Sequence, residues 1–219
     1  MRLALLALLL ASGPALSETV TGQARVIDGD TVEIAGTTVR LLGIDAPESG
    51  QSCKAADGKS YLCGTAATDR LRALAAGKPV ECTGAERDAY GRLLGTCRVG
   101  GVEINRTLVR EGLAWAFVRY SRDYVSEEGE ARAAKRGVFA AENEPPWQFR
   151  AARFQNAPLA PDAPEGCPIK GNISRKGEKI YHMPWQLDYG RTRIDVKQGE
   201  RWFCDEGEAE KAGWRKAMR

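Results

Sequence analysis

Alternating apolar and polar residues predict strands in the first part of the chain. From residue 21 to residue 42 the alternation has a period of two, as expected where successive side chains point to opposite faces. Two turn sequences, DGD at residues 28–30 and AGT at residues 35–37, divide the region into a three-stranded meander. Two further strands are predicted at residues 79–83 and 92–99, flanking the polar turn GAERDAYG.

Helical spacing of apolar residues follows each group of strands. Residues 65–76 carry alanines and leucines at helical spacing and stop before Gly77. A short helix is predicted at residues 104–113. A third is predicted to begin after Ser121 as N-cap and to end at Gly137.

The end of the chain differs in composition from the region before it. Six prolines lie between residues 143 and 168, which predicts a semi-rigid, non-helical linker over residues 143–166. Residues 167–219 are rich in basic and aromatic residues and do not repeat the first region. We therefore expect a first domain at residues 18–142 and a small C-terminal module at residues 167–219.

The N-terminus has the pattern of a cleaved export signal. One basic residue precedes an apolar run from Leu3 to Ala11, and small residues at Ala15 and Ser17 suit cleavage before Glu18. Residues 1–17 are thus a predicted signal peptide. No later segment approaches the roughly 20 apolar residues of a membrane-spanning helix. We expect an exported protein, periplasmic or secreted, without stable membrane insertion.

All six cysteines follow this signal. An even number in an exported chain favours disulfides, although six cysteines allow 15 pairings. Closeness in the predicted fold favours Cys53 with Cys63, Cys82 with Cys97, and Cys167 with Cys204. A metal site is the weaker interpretation, because no C-x2-C spacing occurs and the single histidine, His182, lies outside the first two clusters. The net charge of +3 is too small to indicate nucleic-acid binding by itself.

Three clusters contain the residues needed for phosphodiester cleavage: DGDT at residues 28–31, RLLGIDAPE at residues 40–48, and DAYGR at residues 88–92. Taken singly, each is an ordinary turn or strand end. Taken together, they place Asp30 and Asp45 at the ends of adjacent strands, where two carboxylates can hold a hard cation such as Ca2+. Glu48 follows as a candidate general base.

Arginine and tyrosine complete the candidate site. Arg40 and Arg92 carry guanidinium groups that match the oxygens of a phosphoryl group better than an ammonium does. Tyr90 and Tyr120 are candidates for hydrogen bonding or stacking at the nucleotide, although both are also ordinary at the edge of a core.

These clusters, with N105-x-x-L-V-x-x-G-L-A and the R119-Y120 pair, closely resemble the staphylococcal nuclease (thermonuclease) family from about Thr21 to Phe139. The resemblance implies the α+β class, with an OB-like five-stranded β-barrel and three helices. The disulfide-closed C-terminal module is added to that fold.

The resemblance also implies a function and residue roles. It implies Ca2+-dependent hydrolysis of DNA and RNA with little sequence preference, by endonuclease or exonuclease action, leaving 3′-phosphate ends. Single-stranded substrates and a monomer are expected. The implied catalytic residues are Arg40, Glu48 and Arg92, and the implied calcium ligands are Asp30, Asp45 and the backbone carbonyl of Ala46. The alternative is a non-catalytic protein that binds nucleic acid or an envelope polymer on the same barrel.

The C-terminal segment resembles a small module appended to various bacterial exported nucleases and envelope proteins. Trp185 follows Pro184 where some similar modules have a cysteine, which argues against zinc. His182 has no evident partner in the sequence and is interpreted as structural or merely a surface residue. Binding of an anionic polymer and a purely structural role both remain open. As an accessory module it is expected to be dispensable for turnover.

Overall fold

A computed structural model describes residues 17–88, 90–156, 160–164, 166–204 and 206–217. Nearly all of the predicted signal peptide, residues 1–16, lies outside the described residues. The strands of the first domain are β1 Glu18–Gly22, β2 Ala24–Val26, β3 Thr31–Ile34, β4 Thr37–Leu41, β5 Ile44–Asp45, β6 Ser52–Lys54, β7 Ser60–Leu62, β8 Val80–Arg87, β9 Leu93–Val99, β10 Val102–Glu103 and β11 Trp115–Ala116. The helices up to residue 156 are α1 Cys63–Ala75, α2 Ile104–Arg110, α3 Val125–Ala133 and α4 Pro146–Asn156, with a 3-10 turn at Gly137–Phe139.

The main sheet confirms the predicted OB-like fold and the α+β class. Its strand order is β1-β8-β9-β4-β3-β2, and β10 pairs with β9. The meander β2-β3-β4 is antiparallel, whereas β4 pairs in parallel with β9, with Val39 opposite Leu93. Edge strand β1 and the two residues of β10 extend the sheet beyond the five strands expected.

The core explains the sequence pattern of these elements. Val32 and Ile34 of β3 and Val39 and Leu41 of β4 are almost fully buried, as period-two alternation predicts. The helices cover this apolar face with one side each; α1 contributes Ala67, Leu71 and Ala75, and α2 contributes Ile104 and Leu108. The apolar face of the sheet is therefore enclosed by helices, whereas the polar residues at the strand ends lie outside this core.

Helix α3 is shorter than predicted. It begins at Val125, not directly after Ser121, and ends at Ala133. The Ser121 hydroxyl accepts a hydrogen bond from the backbone N–H of Asp123 at 3.1 Å, which forms a local turn ahead of the helix. Ser121 therefore caps a turn and not the helix, a common alternative use of a serine hydroxyl.

Three disulfides join the same cysteine pairs that closeness favoured: Cys53 with Cys63, Cys82 with Cys97, and Cys167 with Cys204. The first connects the hairpin formed by β6 and β7 to the start of α1. The second links directly opposite residues of β8 and β9. The third closes the C-terminal module.

The expectation of a non-helical linker over residues 143–166 was wrong for α4, Pro146–Asn156. Proline is accepted in the first turn of a helix, where its missing N–H would have no helical partner. Trp147 then packs against Trp115 and Phe117, with ring centroids 6.5 and 5.6 Å apart. Asn143 anchors the preceding residues through hydrogen bonds to both backbone groups of Lys54. Helix α4 is thus docked on the first domain.

The C-terminal module has its own sheet and core. Its elements are β12 Ile169–Ile173, β13 Lys179–His182, a 3-10 turn at Val196–Gln198, β14 Arg201–Phe203, α5 Glu206–Lys211 and β15 Arg215–Lys216. The strand order is β14-β12-β13-β15. Ile169, Tyr181, Met183, Phe203 and Trp214 form its buried core. Within the described ranges, no helix is both long and apolar enough to cross a membrane.

Candidate active site

Strand pairing and a tight turn bring Asp30 and Asp45 close to Arg40. Arg40 of β4 lies opposite Thr31 of β3, so its side chain starts beside Asp30. The chain then turns at Gly43, whose φ of 76° lies in the left-handed region, and enters β5, which ends at Asp45. One strand and its turn therefore bring Arg40 and Asp45 close to Asp30.

A glycine permits the close approach of the DGD turn to this strand. A Cβ atom added at Gly29 would lie 2.8 Å from the Cβ of Ala46 and 3.0 Å from that of Ala67. Such distances are too short for carbon atoms. Glycine at this position lets the turn settle against β5 and α1, and Asp30 then meets the backbone of Ala46.

The two aspartates share one guanidinium group. Arg40 Nη1 donates to Asp30 Oδ1, and Arg40 Nη2 donates to Asp45 Oδ1 at 2.8 Å. The other oxygen of Asp30 accepts the backbone N–H of Ala46 at 2.7 Å. The side chains of Asp30 and Asp45 are only 3% and 1% exposed. Arg40 therefore fixes both carboxylates at positions that solvent hardly reaches.

Burial governs the ionisation of Asp30. It raises the pKa of Asp30 well above its usual range; Arg40 works against that rise, and the charges of Asp28 and Asp45 add to it. Burial alone would lower the pKa of Arg40, but Asp30 and Asp45 outweigh it, so that pKa is raised. The guanidinium is therefore permanently charged, and added positive charge beside Asp30 would favour its ionised form.

Glu48 is the third carboxylate of the site. Its backbone N–H donates to the side chain of Gln51 at 3.1 Å, which holds the start of the loop after β5. One of its carboxylate oxygens accepts a hydrogen bond from Arg150 Nη1 of α4 at 2.6 Å. The side chain is 34% exposed, so Glu48 lies at the boundary between the buried aspartates and solvent.

Arg92 lies on the turn between β8 and β9. Its Nε donates to Asp88 Oδ2 at 2.7 Å, and Asp88 Oδ1 accepts the backbone N–H groups of Tyr90 and Arg92. The guanidinium carbon lies 4.8 Å from the centre of the Tyr90 ring. Asp88 thus orients Arg92 through its Nε atom. Tyr120 is 62% exposed and packs against Phe117.

These residues line a cleft of about 520 Å3. Seven of the eight predicted site residues line it: Asp30, Arg40, Ala46, Glu48, Tyr90, Arg92 and Tyr120. The eighth, Asp45, is fully buried beneath them. Three sequence clusters spread over residues 28–92 therefore meet at one place, together with Tyr120.

The C-terminal module forms part of the same cleft. Tyr181, Glu206, Glu210 and Lys216 of the module line it. The Tyr181 hydroxyl donates to Glu210 at 2.6 Å, and Lys216 pairs with Glu206 at 2.7 Å. Burial raises the pKa of Glu210, and the positive charge of Arg92 opposes that rise. Glu206 and Glu210 thus form an acidic wall of the cleft that contains Arg92.

Sequence reasoning missed Arg150 and these module residues. Arg150 lies in the proline-rich region that composition marked as a linker, and the module residues lie where no catalytic motif was found. The signal for α4 was present, since two prolines directly precede Trp147 and Phe149. No group of three or more His, Cys, Asp or Glu side chains that could hold a metal ion is found in the described residues.

Comparison with known proteins supplies the family. A family model described as "Staphylococcal nuclease homologue" matches residues 38–141, and a second, described as ArfC, matches residues 152–216. The chain is 39% identical over 162 residues to the succinoglycan biosynthesis protein ExoI of Rhizobium meliloti (strain 1021), covering 70% of this chain and 82% of that protein.

Two other relatives are similar over most of their length. An uncharacterized endonuclease of Escherichia coli is 38% identical over 154 residues, which cover 66% of this chain and 94% of that protein. A micrococcal nuclease of Shigella flexneri is 34% identical over 162 residues, which cover 66% of this chain and 87% of that protein. With its OB-like sheet and its cleft of arginines and carboxylates, the chain belongs to the staphylococcal nuclease family.

Proposed function

We propose that this protein is an exported, Ca2+-dependent nuclease that hydrolyses DNA and RNA with low sequence specificity. The observation that carries the proposal is the convergence of Arg40, Glu48 and Arg92 with two buried aspartates in one cleft. Relatives named endonuclease and micrococcal nuclease support nuclease activity. Three disulfides are compatible with a periplasmic or secreted protein.

The donor set fits a calcium ion. Asp30 and Asp45 are both buried and close enough to be bound by one guanidinium, and the charges of Asp28 and Asp45 raise the pKa of Asp30. Because the two carboxylates repel each other and offer hard oxygen donors, a hard cation bound between them is favoured. The proposed ligands are these two carboxylates and the backbone carbonyl of Ala46. When bound, Ca2+ offsets phosphate charge and orients the scissile group.

The remaining residues carry out the hydrolysis. Glu48 accepts a proton from the attacking water, whose oxygen forms the new bond to phosphorus. The bond from phosphorus to the 5′ oxygen breaks, the leaving oxygen gains a proton from solvent, and the products are a 3′-phosphate and a 5′-hydroxyl. Arg40 and Arg92 hold the phosphoryl oxygens, whose negative charge grows in the transition state. Both arginines line the same cleft.

Single-stranded nucleic acid is the proposed preferred substrate, bound by a monomer. Tyr90 and Tyr120 lie on the cleft and expose 40% and 62% of their surface. Exposed aromatic rings offer stacking surfaces for unpaired bases of any sequence. Residues of the C-terminal module line the same cleft as Arg92, and we propose that they narrow access to it. Both features favour a strand with splayed bases over a duplex.

We retain the domain boundaries as proposals: a signal peptide at residues 1–17, the nuclease domain at 18–142, a connecting segment at 143–166, and the module at 167–219. Within the connecting segment, α4 packs on the nuclease domain through Trp147.

A non-catalytic polymer-binding protein is disfavoured, because a pure binding surface has no need for a buried carboxylate pair beside Glu48 and two arginines.

The test is hydrolysis of an end-labelled single-stranded DNA in Ca2+ and in a calcium chelator, with the new ends identified by phosphatase treatment. We expect cleavage only in Ca2+, and products whose 3′ ends lose a phosphate to the phosphatase. A matched RNA strand should be cleaved as well. Equal cleavage in the chelator, or 5′-phosphate products, would contradict the proposal.

A further inference from the structure

The guanidinium group of Arg150 donates hydrogen bonds to two acidic residues of the site, Asp45 and Glu48. Its Nη2 donates to Asp45 Oδ2 at 2.8 Å, and its Nη1 lies 3.2 Å from Asp45 Oδ1. The same Nη1 donates to Glu48 Oε1 at 2.6 Å. One side chain from α4 thus bridges the proposed calcium ligand and the proposed general base.

The position of Arg150 is built by the packing of α4. Trp147, three residues earlier on the helix, packs between Trp115 and Phe117. The segment before the helix is held by Gln51, whose side-chain amide donates to the backbone carbonyl of Glu144 at 2.7 Å. Gln51 also accepts the backbone N–H of Glu48. The loop that carries Glu48 and the helix that carries Arg150 are therefore joined through one buried glutamine.

Charge explains why Arg150 is held there. Asp45 is fully buried, and its oxygens accept hydrogen bonds from Arg40 and Arg150. An isolated buried carboxylate is costly, whereas a paired and hydrogen-bonded one is tolerated. Burial alone would lower the pKa of Arg150, but Asp45 and Glu48 raise it on balance, so it remains charged. Arg150 thus supplies positive charge at the carboxylate proposed to bind calcium.

We propose that Arg150 is a resident cation of the metal site, which holds Asp45 and Glu48 together until a divalent cation displaces it from Asp45. This inference rests on the proposed role of Asp45 as a calcium ligand. Asp45 Oδ2 is bound by Arg150, and Oδ1 is already shared with Arg40, so a metal ion that uses Asp45 must compete with a guanidinium. After the exchange Arg150 retains Glu48. Arg150 therefore sets the calcium affinity of the site and positions Glu48.

The experiment is calorimetric titration of the full-length exported protein with Ca2+ in the absence of substrate. Arg150→Gln is compared with wild type and with Arg153→Gln, which changes an arginine one turn further along the same helix. Arg153 contacts the rings of Phe149 and Trp185. We expect Arg150→Gln to bind Ca2+ about tenfold more tightly than wild type, the effect of removing one competing charge-assisted hydrogen bond. Arg153→Gln should stay within about twofold, well below that tenfold step.

Thermal unfolding gives a second readout. In a chelator, Arg150→Gln should unfold at a lower temperature than wild type, because Asp45 loses a partner. Saturating Ca2+ should reduce that difference, since the metal takes over the same carboxylate. Arg150→Lys keeps the charge without the two-pronged geometry, so it should fall between the two proteins in both assays.

The outcomes separate this inference from the proposed function. If wild type binds Ca2+ and cleaves DNA, but folded Arg150→Gln and Arg150→Lys bind Ca2+ no more tightly, the resident-cation inference is overturned. If wild type neither binds Ca2+ nor requires it for cleavage, the proposed function itself fails. Tighter binding by Arg150→Gln, with an unfolding temperature that is lowered more in the chelator than in saturating Ca2+, supports both.

Discussion

Asn105 offers a quantitative test of how the fold supports the site. Its side chain is fully buried between β9 and the turn after β4. Its Oδ1 accepts the backbone N–H of Cys97 at 3.0 Å. Its Nδ2 donates to the carbonyls of Leu42 at 3.0 Å and Gly95 at 3.1 Å. Since Leu42 lies between Arg40 and Asp45, Asn105 connects α2 to the strand that carries the site.

The expected cost of Asn105→Ala follows from the partners left behind. The Gly95 carbonyl still accepts the N–H of Leu42 at 2.9 Å, whereas the Cys97 N–H and the Leu42 carbonyl lose the Asn105 amide. Each buried group left without its partner costs about 1–3 kcal/mol. The free energy of unfolding should therefore fall by about 2–6 kcal/mol, a large part of the stability of a typical domain.

Asn143→Ala is the matched control. Asn143 also makes three hydrogen bonds to the backbone, two with Lys54 and one with Val138, but the two with Lys54 lie at exposed positions. Water can replace those partners, so the loss should be only about 1 kcal/mol. Urea unfolding followed by circular dichroism, with disulfides intact, measures both variants. If Asn105→Ala costs no more than Asn143→Ala, this account of buried support for the site is wrong.

Three further predictions concern other parts of the molecule. Burial lowers the pKa of His182 below its ordinary 6.5, so the unfolded module binds the proton more readily than the folded one. Thermal unfolding should therefore show the module losing stability as pH falls through 6.5 toward the folded pKa, and His182→Asn should flatten that dependence. Replacing Glu206 and Glu210 together by glutamine removes the negative charge of the acidic wall. Because this charge repels the phosphates of the substrate, KM for single-stranded DNA should fall several-fold at low salt. An unchanged KM would place the acidic wall outside the substrate path. Gly29→Ala sets a methyl group against Ala46 and should cost about 1–3 kcal/mol of stability, with a matching loss of cleavage, whereas Gly36→Ala should leave cleavage intact.

The sequence predicted those parts of the site that depend on strand periodicity and local turns. Val39 and Leu41 face the core, so Arg40 between them must lie on the opposite face, at the strand end that approaches Asp30. The helices α1 and α2 were predicted for the same reason, because each buries one face. Local pattern and burial are sufficient for these elements.

Arg150 could not be found in the same way because its position depends on tertiary packing. The proline content of the region is typical of a linker. The region nevertheless forms helix α4, and the packing of Trp147 against Trp115 stabilises it there. Likewise, nothing in the module sequence indicates that Tyr181 and Glu210 border the cleft. The expectation that the module is dispensable for turnover therefore stays a prediction, and its position on the cleft gives a physical reason to test it by deletion.

We propose that the cleft lined by Arg40 and Glu48, with Asp45 buried beneath it, hydrolyses phosphodiester bonds. The most direct measurement is single-stranded DNA cleavage at saturating Ca2+ by Glu48→Gln beside Glu33→Gln, an identical substitution on β3, where Glu33 pairs with Arg25. We expect Glu48→Gln to lose about 10²- to 10⁴-fold in kcat, the usual contribution of a general base. Glu33→Gln should match wild type. A folded Glu48→Gln protein that cleaves as fast as wild type would contradict the account.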